Sequence, residues 1–400
     1  MNQISYIPAI SLGPLGGESK KYNIKGKSLK FYQTHPDNVF NYPYLLISAG
    51  HNYKKDSKTE YGYDFVDEKK IVLGDSGGYQ IATGAIKYTP DIVEQIFNWL
   101  ENNSNYAVNL DLPPFIDSQM NLEEKFNDHL QKTVNNMTFF EKNQKGKTQF
   151  LNVLQGRNFD HFEEWYGKVH NFDFPGGWGI GSATSRSAFT TIFAFFYLYS
   201  KGEVERYSKK DGRKLFHFLG VSSMEIIPIL AYIQRKLNQR QLDVKLTYDS
   251  SSPFMSASYG RYTIKKNFVH LSSSTVIQPD WNLDTNLPCI CPVCKLLKWR
   301  DIFDLKNKEK DSFNSLFYAI LGLHNMYQLI GNEYEIKNII NLGSTEVMDS
   351  YFPSDTMLAF QVIDKVFDSN EPLSVLYNHK EYFRKFNVKT EEPTLGSLFD

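Results

Sequence analysis

Two aspartates stand directly after short apolar runs, and together they could act on one substrate. Asp75 follows the run at residues 71–74 and opens the segment DSGGYQ, and Asp249 follows the run at residues 244–248. A carboxylate at the exit of a buried strand points into a cleft rather than into solvent. Two such carboxylates from different strands can break and remake a glycosidic bond through a covalent intermediate.

The elements that must position these carboxylates are short apolar runs separated by helix-like stretches. The runs lie at residues 44–48, 71–74, 106–110, 150–154, 178–181, 215–219, 244–248 and 268–271. The helix-like stretches between them lie at residues 91–101, 122–141, 159–169, 188–200 and 224–237. Eight strands with intervening helices predict an α/β fold, namely a closed (β/α)8 TIM barrel of parallel strands.

Polar residues and glycines collect at one end of these predicted strands. They are Asp75, Asp111, Gln155, Gly181, Gly220 and Asp249. In a (β/α)8 barrel the carboxyl ends of the strands form one face, and active sites lie on that face. Aspartate and glycine also favour ordinary turns, but their recurrence on six consecutive runs favours a functional site.

The three cysteines of the chain stand within one tight turn, which indicates a metal site. Cys289, Cys291 and Cys294 are followed thirty residues later by His324 on a predicted helix. Three thiolates and one imidazole complete the tetrahedral shell of a structural Zn²⁺ ion and leave no open position. The alternatives are three reduced cysteines in a loop without a metal, and His270 in place of His324 as the fourth ligand.

Four regions of the chain follow from these assignments. Residues 1–40 are predicted to form an N-terminal lead-in, and residues 41–272 the catalytic barrel. Residues 273–330 are predicted to form a zinc-binding insertion near the last strand together with a closing helix. Residues 331–400 are predicted to form C-terminal helices and a flexible tail.

Composition and charge narrow the functional classes. Of the 400 residues 41% are hydrophobic and 22% are charged, and the formal net charge is -1. Without a global positive charge, nucleic acid could be bound only through local basic patches. No apolar run approaches the roughly 20 residues of a membrane span, and an odd, clustered set of cysteines indicates a reducing compartment. We therefore predict a cytoplasmic enzyme with no membrane partner.

Six motifs, taken in order, resemble those of the tRNA-guanine transglycosylase superfamily. They are DSGGYQ at 75–80, LDLPP at 110–114, LQG at 154–156, GGWGIG at 176–181, HFLGV at 217–221 and YDS at 248–250. The resemblance extends from about residue 44 to residue 324 and includes the cysteine cluster. It implies a pentosyltransferase that exchanges a guanine in a polynucleotide for a free 7-deazaguanine base, with retention at the sugar.

The resemblance also implies roles for individual residues. Asp249 would be the nucleophile that attacks C1′, and Asp75 would be the general acid and base. Asp111, Gln155 and the backbone around Gly177 would read the edge of the base. The predicted substrate-binding set is completed by Ser76 and by two tyrosines that could stack on the base, Tyr79 and Tyr248.

The departures from the family favour DNA over tRNA as the polynucleotide. The segment after Asp249 lacks the proline-threonine-arginine sequence of bacterial tRNA enzymes, and too few residues follow His324 for the RNA-binding domains of archaeal enzymes. The chain is therefore more similar to the DNA-modifying DpdA branch, which inserts bases such as 7-cyano-7-deazaguanine. Arg261 and Lys265 are predicted to contact the nucleic-acid backbone, although basic residues more often only solvate a surface.

Three alternatives remain open from the sequence. The first is the same base exchange on tRNA, of the queuosine or archaeosine type. The second is a catalytically inert, nucleic-acid-binding barrel that serves as a partner subunit. The third concerns assembly, because the chain could form a homodimer or act with accessory DNA-modification proteins.

Overall fold

Eight parallel strands form the central sheet of the protein, as seen in a computed structural model. The structure describes residues 2–10, 23–32, 36–53, 70–114, 122–181, 188–264, 267–270, 282–308 and 316–386. The strands are β1 (Ser5–Pro8), β2 (Tyr44–Ser48), β3 (Ile71–Asp75), β4 (Tyr106–Val108), β5 (Gln149–Leu154), β6 (Gly177–Ile180), β7 (Leu215–Phe218) and β8 (Lys245–Ser250). All neighbours in the sheet run parallel, which confirms the predicted α/β barrel class.

The sheet curls until its two edge strands meet. The strand order is β1-β8-β7-β6-β5-β4-β3-β2, so β1 and β2 lie at the two edges. An isolated parallel bridge joins Ala9 to Leu46 across these edges, and the Ile10 N–H donates to the Leu46 carbonyl at 3.3 Å. The result is a nearly closed barrel of the TIM type.

One predicted barrel strand was wrong, and an N-terminal strand takes its place. Residues 268–271 were predicted as the eighth strand, but Asn267–His270 instead pairs antiparallel with Arg261–Ile264 in a separate hairpin. Ser5–Pro8, inside the predicted lead-in, pairs with β8 in the register Ser5 to Thr247. The barrel therefore begins in the N-terminal region, because this strand supplies the backbone partners of β8 on the side away from β7.

Helices surround the barrel and supply the outer layer of its core. They are Gly78–Ala82, Pro90–Asn103, Leu122–Asn143, Phe159–Val169, Ala188–Ser200, Glu203–Ser208, Ile227–Gln239, Ser252–Ser258, Trp299–Lys308, Leu316–Leu342, Thr345–Tyr351, Ser354–Phe367, Pro372–Asn378 and Lys380–Arg384. Short 3-10 turns lie at Ala49–His51 and Cys294–Leu296. In the part of the chain that the structure describes, no helix is both long enough and apolar enough to cross a membrane.

The helix Pro90–Asn103 illustrates how local sequence produces this layer. The Thr89 side chain caps the helix by accepting a hydrogen bond from the Ile92 N–H, and Pro90 occupies the first turn, where no amide hydrogen is needed. Ile96, Phe97 and Leu100 recur at helical spacing and are buried against the sheet.

The long helix Leu316–Leu342 is joined to the barrel by a buried polar network. Glu333, which is almost fully buried, accepts hydrogen bonds from the Tyr6 N–H and the Tyr248 hydroxyl, both at 2.8 Å. Lys337 pairs with the same carboxylate at 2.6 Å. Because each buried polar group has a partner, this network fixes the helix against β1 and β8.

The C-terminal helices also pack on the barrel rather than forming a separate body. Phe360 stacks on Tyr232 with ring centroids 4.2 Å apart, and Phe367 lies against Phe196 at 5.3 Å. The predicted C-terminal helices are therefore present up to residue 386. The predicted flexible tail, residues 387–400, lies outside the described residues.

Candidate active site and metal centre

A cavity of about 380 Å³ opens at the carboxyl ends of the barrel strands. Among its lining residues are the six that the sequence placed at strand ends, Asp75, Asp111, Gln155, Gly181, Gly220 and Asp249. The cavity also has apolar walls, formed by residues such as Ile10, Leu46 and Leu219. Three carboxylates and one amide thus converge in a single, partly apolar site, which is the usual anatomy of an enzyme pocket.

Asp249 is held in the cavity by two hydrogen-bond donors. It lies on β8, and its Oδ1 accepts from the Gly220 N–H at 2.7 Å and contacts His217 Nε2 at 3.1 Å. No described residue hydrogen-bonds to its other carboxylate oxygen, Oδ2. Asp249 is thus held through Oδ1, and its Oδ2 oxygen is available to a ligand.

Asp75 ends β3 and faces the same cavity. Its Oδ1 accepts a hydrogen bond from the Gly77 N–H at 3.4 Å. Burial raises the pKa of Asp75 above the usual aspartate value, and the nearby negative charge of Asp249 adds to the effect. A carboxyl group whose pKa is raised in this way is suited to giving and taking a proton.

Asp111 and Gln155 form a buried pair at the base of the cavity. The Gln155 Nε2 group donates to Asp111 Oδ2 at 2.6 Å. Burial, aided by the charge of Asp75, raises the pKa of Asp111 to about 7, although the hydrogen bond from Gln155 opposes this rise. The pair offers a carboxylate that accepts hydrogen bonds and an amide carbonyl that also accepts them.

Two glycines allow these polar groups to approach one another. A Cβ atom at Gly181 would overlap the amide of Gln155, and a Cβ atom at Gly78 would overlap the Asp111 carbonyl oxygen. Neither overlap could be relieved without moving a residue that lines the cavity. The glycines are therefore required by the packing of the site.

The Gly78 contact predicts a loss of stability on substitution. We expect Gly78→Ala to lower the free energy of unfolding by about 1–3 kcal/mol, the usual cost of overpacking, because the added methyl group meets a backbone carbonyl. Urea denaturation of the two proteins measures the difference. Gly331→Ala is the matched control, since nothing lies within 4 Å of the added atom and the helix gains propensity. Equal destabilisation by both substitutions would contradict the prediction.

The rim of the cavity carries residues that sequence reasoning did not single out. His51, from the turn after β2, lies 3.3 Å from Gln80 between Nε2 atoms, and both line the cavity. Tyr79 was predicted to line the site and does so, with 58% of its surface exposed at the rim. His217 lies beneath Asp249; the sequence placed it in an apolar run and at the start of the HFLGV motif, but no role was assigned to it.

Three predicted substrate-binding residues are placed elsewhere by the structure. Tyr248 points to the opposite face of β8 from Asp249, where it is buried and bound to Glu333, because adjacent strand residues alternate between faces. Gly177 begins β6, so it lies at the far end of the strand from Gly181. The Ser76 hydroxyl is buried and donates to the Asn109 carbonyl at 3.1 Å. None of the three is among the residues that line the cavity.

Of the two residues predicted to contact a nucleic-acid backbone, the structure describes Arg261, which lies on the hairpin after β8. Arg261 begins the first strand of the hairpin, and its guanidinium lies 5.4 Å from the ring centroid of Tyr259. Arg261 does not line the cavity. Lys265 lies outside the described residues.

A second cluster of functional groups brings together Cys289, Cys291, Cys294 and His324. Their ligand atoms all lie within 4.8 Å of one another, and three of the four residues are buried. The His324 Nδ1 atom lies 3.2 Å from Cys294 Sγ and 3.5 Å from Cys291 Sγ. The cluster predicted from the sequence is thus assembled in a geometry that could hold a metal ion.

The surroundings of the cluster fit a metal as well. The His324 Nε2 atom lies 2.7 Å from the Thr263 carbonyl oxygen, so it carries the ring hydrogen and leaves Nδ1 free to act as a ligand. Donors also point at the sulfur atoms: Gln328 Nε2 reaches Cys289 Sγ at 3.0 Å, and the Cys294 N–H reaches Cys291 Sγ at 3.3 Å. Such donors stabilise thiolates, which are the form that binds metal.

Comparisons with models of protein families and with curated proteins find no match to the chain. The function must therefore be argued from the residues of the cavity and from the metal cluster.

Proposed function

We propose that this protein exchanges a guanine in DNA for a free 7-deazaguanine base, by double displacement with retention at C1′. The observation that carries the proposal is the convergence of Asp75, Asp111 and Asp249 with Gln155 in one cavity. Two of these carboxylates can carry out the chemistry at C1′ of the sugar. The third carboxylate, together with the amide, can bind the base. The order of motifs that resembles the transglycosylase superfamily agrees with this division of roles.

The first displacement begins with attack by Asp249. One carboxylate oxygen forms a bond to C1′ of the target nucleotide, and the C1′–N9 bond breaks with its electron pair passing to the guanine. Asp75 donates its proton to the departing base, which leaves neutral. The raised pKa of Asp75 keeps that proton available closer to neutral pH than an ordinary aspartate would.

The second displacement reverses these steps with the new base. Asp75, now ionised, removes the N9 proton from the incoming 7-deazaguanine, whose N9 attacks C1′. The bond between C1′ and Asp249 breaks, and the carboxylate is regenerated. Two inversions at one carbon give overall retention, as in retaining glycosidases.

Asp111 and Gln155 provide the recognition that this exchange requires. An ionised Asp111 accepts hydrogen bonds from N1–H and from the exocyclic amine of a guanine-type base. Both residues are buried, so a base that left them unpaired would be disfavoured by roughly 1–3 kcal/mol for each group. Tyr79, exposed at the rim, would cover the base with its ring.

The shifted pKa of Asp111 predicts a pH dependence of base binding. Because its pKa is about 7, the carboxylate is mostly protonated below that pH and loses an acceptor for N1–H. We expect the affinity for a free 7-deazaguanine to fall as the pH drops from 8 to 5, approaching tenfold per unit. Isothermal titration calorimetry at a series of pH values measures this affinity.

Two variants separate this effect from general acid sensitivity. Asp111→Asn should bind weakly at every pH and show a flat profile, whereas Asp128→Asn, at an exposed carboxylate paired with Lys132, should keep the profile of the parent protein. An affinity of the parent protein that stays constant or increases from pH 8 to pH 5 would contradict the assignment of Asp111.

DNA is proposed as the polynucleotide because the segment after Asp249 differs from the proline-threonine-arginine sequence of the bacterial tRNA enzymes that the motifs resemble. The helices from Ser354 to Arg384 pack against the barrel helices instead of forming a separate domain. In duplex DNA the C1′ atom is shielded, so the target nucleotide must be flipped out or presented on a single strand. Arg261, close after the catalytic strand, is a candidate contact for the backbone.

Incubation with labelled 7-deazaguanine tests the proposal directly. The protein is mixed with DNA and, separately, with unmodified tRNA, and incorporation is followed by nucleoside mass spectrometry. Label in DNA supports the proposal, and label only in tRNA replaces it with the same chemistry on tRNA. Label in neither, together with normal DNA modification in cells that carry Asp249→Ala, would instead favour an inert partner subunit.

We infer further that the cysteine cluster holds Zn²⁺. Three thiolates and one imidazole match the preferred donor set of zinc and complete a four-coordinate shell. With no open position, a bound ion would stabilise the fold and take no part in the exchange. The ion would tie the loop at Cys289–Cys294 to the helix Leu316–Leu342 that packs on β8.

A further inference from the structure

His217 is buried directly beneath the carboxylate of Asp249 and contacts it. It is 0% exposed, lies in the middle of β7, and is paired in register with Thr247 of β8. Its Nε2 atom lies 3.1 Å from Asp249 Oδ1, and its Nδ1 atom lies 2.9 Å from Thr247 Oγ1. Thr247 and Asp249 are two residues apart on one strand, so both face the imidazole from the same side.

The chemistry of these groups determines where the hydrogens lie. An ionised carboxylate only accepts hydrogen bonds, so His217 Nε2 must carry the hydrogen that it shares with Asp249. In a neutral imidazole, Nδ1 is then an acceptor, and it takes the hydroxyl hydrogen of Thr247. Thr247 therefore donates to His217, and His217 donates to Asp249. These two hydrogen bonds fix the plane of the imidazole ring.

We propose that His217 is a positioning residue for the nucleophile and that Thr247 orients it, an inference that rests on the proposed base exchange. Together with the Gly220 N–H at 2.7 Å, His217 holds Asp249 through a single oxygen, Oδ1. Oδ2 is left as the oxygen that attacks C1′. His217 touches neither the base nor the sugar in this arrangement.

The same hydrogen bond acts again when the intermediate breaks down. As the bond between C1′ and Asp249 lengthens, negative charge returns to the carboxylate, and a charge-assisted hydrogen bond from His217 stabilises it. Loss of His217 should therefore slow both displacements. It should leave the binding of the free base almost unchanged, because Asp111 and Gln155 perform that task.

A set of matched substitutions tests this role. We expect His217→Leu to lower kcat for exchange by about 10- to 100-fold, with KM for the free base within about twofold. His217→Gln keeps a donor at the position of Nε2 and should recover kcat to within about threefold to tenfold of the parent protein. Phe216→Leu, at the neighbouring residue that faces the outer helices and Phe195, is the control and should leave kcat unchanged.

Thr247→Val provides an independent readout. In the parent background it should lower kcat about threefold to tenfold, because the ring loses its orienting partner. In the His217→Gln background it should have little further effect, since the imidazole is already gone. Equal, additive losses in both backgrounds would show that Thr247 acts only through packing and would overturn its assigned role.

The tautomer of His217 can be observed without any substrate. In long-range ¹H–¹⁵N spectra of protein labelled with ¹⁵N-histidine, we expect a signal for the Nε2–H tautomer that disappears in His217→Gln and moves in Asp249→Asn. An Nδ1–H tautomer would overturn the proposal, even if His217→Leu fails to fold. So would a kcat for folded His217→Leu equal to that of Phe216→Leu.

These outcomes are distinct from failure of the proposed function. If no polynucleotide is modified, the base-exchange proposal is wrong. If Asp249→Asn leaves exchange intact, base exchange stands but Asp249 is not its nucleophile. If Asp249→Asn abolishes exchange while His217→Leu does not lower kcat, the chemistry stands and only the positioning role is lost.

Discussion

Replacing Asp249 with asparagine should lower the rate of guanine exchange at least about 10³-fold, which is the usual effect of removing a covalent nucleophile. The substitution keeps the shape of the side chain, but a neutral amide cannot form and release an ester at C1′. The rate of incorporation of labelled 7-deazaguanine measures the effect. Denaturing gels of quenched reactions should show a protein–DNA adduct with the parent protein and none with Asp249→Asn.

Binding and a surface control make this result specific. The affinity of Asp249→Asn for the free base should stay within a few-fold, because the base is held by Asp111 and Gln155. Asp284→Asn, at an exposed carboxylate paired with Arg300, should leave exchange unchanged. If Asp249→Asn retained more than a tenth of the parental rate, the covalent mechanism would have to be abandoned.

Removing one ligand of the cysteine cluster should have the largest effect on stability. Cys291 is fully buried within the cluster, and we expect Cys291→Ser to lose the bound zinc and to lower the melting temperature by more than about 5 °C. The melting temperature should fall because, without an ion, the thiol and imidazole groups no longer connect the cysteine loop to the helix Leu316–Leu342. Elemental analysis gives the zinc content, and scanning calorimetry gives the melting temperature.

The neighbouring residue offers the matched control for this prediction. Ile290 stands between two of the cysteines but is 83% exposed and contributes no ligand. Ile290→Ser should therefore keep one zinc per chain and the parental melting temperature. Parent protein that contains no zinc after expression in zinc-supplemented medium, or a Cys291→Ser protein as stable as Ile290→Ser, would remove the structural-zinc proposal.

Most of the barrel could be predicted from the sequence because its parallel strands are apolar on both faces. The runs that became β2 to β8 are mostly apolar, although polar residues such as Asn152, His217 and Thr247 interrupt them. The strand β1, Ser5–Pro8, was missed because it ends in a proline, a residue that argues against a strand inside a sheet. The run at 268–271 was wrongly assigned to the barrel because apolar content does not reveal a strand's partners, and its neighbours in the hairpin are antiparallel.

The candidate site was predictable wherever a polar residue lies within one residue of the carboxyl end of a strand. Asp75, Gln155 and Asp249 meet this condition, and all three line the cavity. Tyr248 should have been excluded by the alternation of side chains, since it precedes Asp249 on the same strand. His217 was part of the HFLGV motif, but its role could not be assigned, because the sequence does not show which side chain of the neighbouring strand an inward-facing histidine contacts.

The pairing of β1 has a consequence for how this protein is made. Ser5 of β1 meets Thr247 of β8, a partner 242 positions further along the chain. At roughly 5–20 residues per second, the ribosome takes about 12 to 48 s to deliver it. Ile4, Tyr6 and Ile7 are at most 1% exposed once folded, and β1 lacks its β8 partner during that interval. We therefore expect the nascent chain to bind chaperones that cover exposed apolar segments until β8 has been synthesised.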